Sequence, residues 1–116
     1  MPMISHVSHA LFAACLLSGV AHAEPVPVPA SKLAYVGNWQ GKDMQLTLNK
    51  DGTIKYKRDR PNKKLDLSVD LQGFDGDNFY VGFGIVNSTF VVSKPPHRVG
   101  AQWKMTVDGV ELTRVE

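Results

Sequence analysis

Cysteine is nearly absent. The 116-residue chain has one, Cys15, and none after it. That excludes a disulfide framework and a cysteine-rich zinc site. Histidine is almost as scarce: His6, His9 and His22 fall in the first 23 residues, leaving His97 alone in the remainder. One histidine cannot build a multi-histidine metal centre, and no nucleophile-elbow pattern surrounds Ser68, Ser88 or Ser93. A catalytic role is therefore not expected, and neither is a metal or cofactor. Strong charge of one sign is also missing. The formal net charge is +2, and no long basic run interleaves with aromatic residues, so nucleic acid is not an expected partner. No apolar run reaches the roughly 20 residues that a membrane-spanning helix needs.

Residues 1–23 lack Lys, Arg, Asp and Glu altogether. From Ala10 to Ala21 they are apolar, and they end at Ala21-His22-Ala23, a small-x-small triplet. That pattern reads as a signal peptide, its positive n-region reduced to the α-amino group with His6 and His9. The mature chain then begins at Glu24 in the periplasm or outside the cell. Phe12-Ala13-Ala14-Cys15 also looks somewhat like a lipoprotein box, and it supplies the alternative, a lipid anchor through Cys15. Residues 24–31 follow as a stiff tether, because prolines at 25, 27 and 29 favour an extended polyproline backbone. Residues 32–116 are the right length for one small domain, expected to be a monomer.

Within that domain the apolar residues repeat with period two, the spacing of half-buried strands. Met44, Leu46 and Leu48 alternate with polar residues, as do Ile54 and Tyr56. Leu65, Leu67, Val69 and Leu71 form another apolar face, with Asp66, Ser68 and Asp70 opposite and expected across from Lys55 and Lys57. Phe79, Val81, Phe83 and Ile85 form the next, and Phe90-Val91-Val92 a strand expected to stop at Pro95-Pro96. Gln102 to Val107 and Val110 to Val115 flank Asp108-Gly109, a type I′ hairpin signal. It sets Val107 opposite Val110, Met105 opposite Leu112 and Trp103 opposite Arg114. The expected fold is all-β, a small antiparallel up-and-down meander closing into a barrel of about 7–8 strands, with a small β-sandwich as the alternative.

Two short segments sharpen this expectation. Gly37-Asn38-Trp39 resembles the Gly-x-Trp of the first strand in the calycin group, the lipocalins and fatty-acid-binding proteins. Thr113-Arg114-Val115 resembles their last strand. The resemblance implies that Arg114 packs over Trp39 and closes one end of a barrel.

Two surfaces are candidates for function. Arg58, Arg60, Lys63 and Lys64 gather on one hairpin and its loop, and Pro95-Pro96 would present His97 and Arg98 rigidly. The leading expectation is a non-enzymatic periplasmic interaction module. Its partner would be an envelope protein, or the anionic headgroup of a glycan or lipid. The alternative is a small carrier of an apolar ligand at a barrel mouth lined by Tyr56, Phe83 and Trp103, which would need a cavity of roughly 300 Å3 or more. Asp75-Gly76-Asp77-Asn78 has alternating acidic oxygens but lacks the distal glutamate of a calcium loop, and reads as a turn.

Overall fold

The computed structural model describes residues 24–115 except Gly84, with Phe83 described in its backbone only. The expected signal peptide, its cleavage triplet and Cys15 lie outside the described residues.

After a 3-10 helix at Ala30–Tyr35 come nine strands: β1 (Gly37–Gly41), β2 (Met44–Leu48), β3 (Thr53–Arg60), β4 (Lys63–Asp75), β5 (Asn78–Phe83), β6 (Val86–Phe90), β7 (Val92–Val99), β8 (Gln102–Val107) and β9 (Val110–Val115). They form a single antiparallel sheet in the order β6-β5-β4-β3-β2-β1-β9-β8-β7, the meander that the period-two pattern dictates and not the two sheets of a sandwich. The sheet curls through 231°, which makes it a half-barrel.

Turn chemistry sets the registers. Asp108 and Gly109 adopt φ of 49° and 81°, as a type I′ turn requires. Val107 then falls opposite Val110, and Met105 opposite Leu112. Asp75 pairs with Asn78 across Gly76-Asp77, where Gly76 takes φ 63°. Three oxygens of that turn, two carbonyls and a carboxamide, are engaged within the fold. The carbonyl of Gly76 accepts from Lys32 Nζ at 2.8 Å, that of Asp77 from the Tyr35 hydroxyl at 2.8 Å, and Asn78 Oδ1 from the Val92 amide at 2.8 Å.

Four local readings change. Pro95 and Pro96 lie inside β7 and do not end it. This strand is at the sheet's edge, where a missing N–H breaks no ladder bond, and its pairing with β8 shifts register around them. The expected strand at Phe90–Val92 is instead the corner between β6 and β7. The Val91 amide donates to Asp108 Oδ1 at 2.9 Å, and the Asp108 amide donates back to the Val91 carbonyl at 2.8 Å. Ile85 is not on the apolar face; it lies in the β5–β6 turn, 89% exposed. The charge pairing is also narrower than expected: Lys57 faces Asp66, but Lys55 faces Ser68 and Asp70 faces Thr53.

Inward positions build one core. Trp39, Leu46, Leu71, Phe79, Met105, Val107 and Leu112 have no exposed surface, and each such side chain contributes roughly 1.5–3 kcal/mol. Aromatic rings run through the core as a chain of contacts. Tyr35 meets Phe79 edge-on at 6.2 Å, Phe79 stacks on Phe90 at 5.0 Å, and Tyr56 meets Phe90 edge-on at 5.1 Å. Across β1, β9, β8 and β7 runs a second row, of alternating indoles and guanidiniums. Arg114 lies 5.7 Å from the Trp39 ring centre and 5.1 Å from that of Trp103, and Arg98 lies 5.7 Å from Trp103 on its other side.

The proline-rich segment is extended, as its sequence dictates, and it is laid against the domain. Alternating prolines leave donors only at alternate residues, so both N–H groups point to one side. Val26 donates to the Leu71 carbonyl at 2.8 Å and Val28 to the Lys50 carbonyl at 3.0 Å. The Val28 side chain is buried in the core cluster. Gly52 makes this approach possible. Its φ is +95°, and a Cβ there would stand 2.2 Å from the Val26 carbonyl oxygen.

Candidate functional site

β3 is longer than its neighbour β2, so beyond the Met44–Arg58 pair the β3–β4 hairpin stands out as an arm. Counting by two from Ile54 places Ile54, Tyr56 and Arg58 on the same, inward face. Arg58 is thereby set between Met44 on β2 and Leu65 on β4. Its Nη1 donates to the Tyr56 hydroxyl at 3.4 Å. Among the described residues Lys104 and Glu111 form the one ion pair, at 3.9 Å, and Arg58 belongs to none. A half-buried guanidinium that closes no ion pair keeps N–H donors free for an anion.

Two cavities meet at this residue. The first, about 410 Å3, has Gly41, Met44 and Leu65 for apolar surface and, for charge, Lys57, Arg58 and Lys64 against Asp43, Asp59 and Asp66. The second, about 570 Å3, runs from Arg58 past Arg60 and Pro61 to Lys42, Gly109 and Glu111. Both also touch Asp43 and Asp59, whose segments are joined by a bond from the Asp59 amide to the Asp43 carbonyl, 2.9 Å. The β1–β2 turn, the arm and the β8–β9 turn thus enclose an open cleft at one rim of the half-barrel.

Cross-strand register sorts the charges of the arm. Asp59 faces Lys64 and Lys57 faces Asp66, so those cations have opposite-sign neighbours. Arg60 faces Lys63 across the Pro61-Asn62 turn. Like charges directly opposite each other destabilise a hairpin, so the tip carries an electrostatic cost that a bound anion would relieve.

Of the sequence-predicted residues, Arg58, Arg60, Lys63 and Lys64 share this arm. His97 and Arg98 do not join them: β7 is separated from β3 by β2, β1, β9 and β8. His97 faces Lys104, and its Nδ1 lies 2.9 Å from the Pro95 carbonyl, which fixes the ring against its own loop. Arg98 lies over Trp103. The described residues contain no cluster of three His, Cys, Asp or Glu side chains placed to hold a metal.

Of the expected mouth residues Tyr56, Phe83 and Trp103, two can be placed. Tyr56 packs inside against Phe90, Trp103 lies between two arginines, and the Phe83 side chain is outside the described residues. Apolar surface bordering the first cavity comes chiefly from Met44 and Leu65. Sequence reasoning missed both as site residues, although the β2–β3 register names them as the flanks of Arg58.

Two groups outside the cleft titrate abnormally. Burial pushes the Tyr35 hydroxyl up to about 12, helped by the Asp77 carboxylate. The Asp51 carboxyl is lowered, chiefly by the Thr53 amide (3.0 Å) and then by the Thr53 hydroxyl (2.7 Å), which tie the β2–β3 turn.

No protein-family model, curated protein or solved structure matches this chain.

Proposed function

We propose that this protein is a non-enzymatic binding module of the cell envelope, and that its site is the cleft at the root of the β3–β4 arm. The observation that carries this reading is the placement of Arg58, an arginine without an ionic partner among the described residues, standing between Met44 and Leu65 where two cavities meet. That arrangement suits a ligand with an anionic head and an apolar body. The head would sit at Arg58 and extend toward Arg60 and Lys63, and the body would lie over Met44 and Leu65. The basic arm and the apolar surface of Met44 and Leu65 border the same cleft, and 410 Å3 exceeds the roughly 300 Å3 a small-ligand cavity needs. The calycin resemblance supports the same reading. Arg114 lies across Trp39 and donates to the carbonyls of Ala34 and Val36, at 3.5 and 3.4 Å, and so pins the 3-10 helix to the sheet.

The test is calorimetry on residues 24–116 with dodecyl phosphate below its micelle concentration, beside a neutral dodecyl glycoside and inorganic phosphate. The expected outcome is that dodecyl phosphate binds tighter than either, and that Arg58→Gln removes about tenfold in affinity, or about 1.4 kcal/mol. Equal affinity for the charged and neutral chains, or no loss in Arg58→Gln, would remove the basis for this site.

A further inference from the structure

A second groove lies on the outer surface of the sheet, across β4, β5 and β6, away from the cleft. It measures about 420 Å3 and is lined by Gln72, Tyr80, Asn87, Ser88 and Thr89. Among the described residues that line it there is no carboxylate, ammonium or guanidinium. On a chain in which 21% of residues are charged, a groove of carboxamides, hydroxyls and one phenol is a distinct chemical surface.

Its parts are held in place by the backbone. Gln72 is the extra residue where the β4–β5 register shifts between Leu71 and Gly73, a bulge that re-aims a side chain. The Gln72 Nε2 donates to the carbonyls of Leu71 (3.1 Å), Glu24 (3.2 Å) and Asp70 (3.4 Å). That fixes the carboxamide and leaves its oxygen as the acceptor directed elsewhere.

Tyr80 faces Gly73, and a Cβ on Gly73 would stand 2.7 Å from the Tyr80 hydroxyl oxygen and 2.9 Å from its ring carbon Cζ. The ring therefore lies over backbone that only a glycine leaves free, and it keeps 40% of its surface exposed. Gly82 is different, because a Cβ there would fit in ordinary contact. A Cβ there would lie 3.4 Å from Gln72 Cγ and 3.6 Å from Asn87 Oδ1, so the two carboxamides converge over it from either side.

We propose that this groove is a carbohydrate site, taking a neutral saccharide with one sugar face on the Tyr80 ring and its hydroxyls on Gln72, Asn87 and Thr89. Sugars present a C–H face, which an aromatic ring covers, and a rim of hydroxyls that both donate and accept, which the Gln72 oxygen can meet as acceptor and the Asn87 carboxamide as donor and acceptor. An ionic ligand would leave its charge unpaired here, and an apolar one would strip water from the polar lining without replacing its hydrogen bonds. The fixed Gln72 amide lowers the ordering cost of binding.

The experiment is a nuclear magnetic resonance titration of residues 24–116 with chitotriose and, separately, maltotriose. At least one is expected to move the side-chain amide signals of Gln72 and Asn87 together with the Tyr80 ring. Tyr80→Leu keeps apolar cover over Gly73 but loses the flat ring. Gly82→Val, on a strand with ordinary φ, wedges the carboxamides apart. Each is expected to weaken binding by about tenfold, with Arg58→Gln leaving it unchanged, and either variant suffices should the other fail to fold. The proposal is overturned if neither trisaccharide moves those signals, if the shifts fall on another face, or if a folded variant binds as the parent does.

Discussion

Arg114 and Trp39 are direct partners across β9 and β1, with the guanidinium carbon 5.7 Å from the indole ring centre. The same guanidinium lies 5.1 Å from Trp103 and donates to two carbonyls at the end of the 3-10 helix. One side chain therefore joins the helix, the first strand and the last hairpin. Arg114→Ala is expected to destabilise the domain by about 1–3 kcal/mol, seen as a lower urea midpoint with an unchanged slope. Arg114→Lys should recover little of it, because an ammonium cannot lie flat between two rings. An unchanged midpoint in Arg114→Ala would show that the contact carries no stability.

Gly52 tests whether the N-terminal segment belongs to the folded unit. Its φ of +95° and the Val26 carbonyl standing where a Cβ would go leave no place for a methyl group. Gly52→Ala is expected to cost about 1–3 kcal/mol and to speed hydrogen exchange at the Val26 and Val28 amides. Gly76→Ala is the comparison, since Gly76 also has positive φ but nothing within 4 Å, and it should leave those two amides protected. Equal exchange in the two variants would mean that the segment does not depend on Gly52.

Tyr35 gives a pH dependence with a defined sign. A tyrosine that ionises near 10 when unfolded ionises near 12 in this fold, because burial and then Asp77 oppose the phenolate. The folded state holds the proton more tightly, so the contribution is complete below pH 10 and is lost as pH rises through 12. Tyr35→Phe should start lower, by about 1 kcal/mol for the lost bond to the Asp77 carbonyl. It should then fall less steeply over that window in urea titrations at stepped pH. Parallel falls in the two proteins would mean that other groups govern alkaline unfolding.

Much of this architecture was readable from residue order, for identifiable reasons. Leu65, Leu67, Val69 and Leu71 alternate cleanly because their strand is wet on one side, and Asp108-Gly109 leaves the chain little choice of turn. β1 was harder, since Gly37-Asn38-Trp39-Gln40-Gly41 has one large apolar residue and therefore no period to read; the resemblance around Trp39 carried it. β7 was hidden by Pro95-Pro96, because prolines end interior strands but are harmless on an edge. In the candidate site, Arg58 was recognised as a cation but not as an inward residue, although two steps from Tyr56 put it there. The Gln72 bulge left no such trace: an extra residue in a ladder is visible only once both strands are paired.

Every strand pair in the sheet but one joins neighbours in the chain; the exception is β1 with β9. The local hairpins can form independently and quickly, within about 1–10 μs each. The β1–β9 join must close a loop running through the rest of the domain, and nothing repays that entropy until it is made. The rate of folding is therefore expected to depend on that one seam. Leu112→Ala, opposite Gly41 in the seam, should mainly slow folding, and Val81→Ala, in the β4–β5 pair, should mainly speed unfolding. The reverse pattern in stopped-flow measurements would place the slow step elsewhere. For a chain that emerges from a pore amino-terminus first, β1 would wait with an open edge until every other strand had followed it.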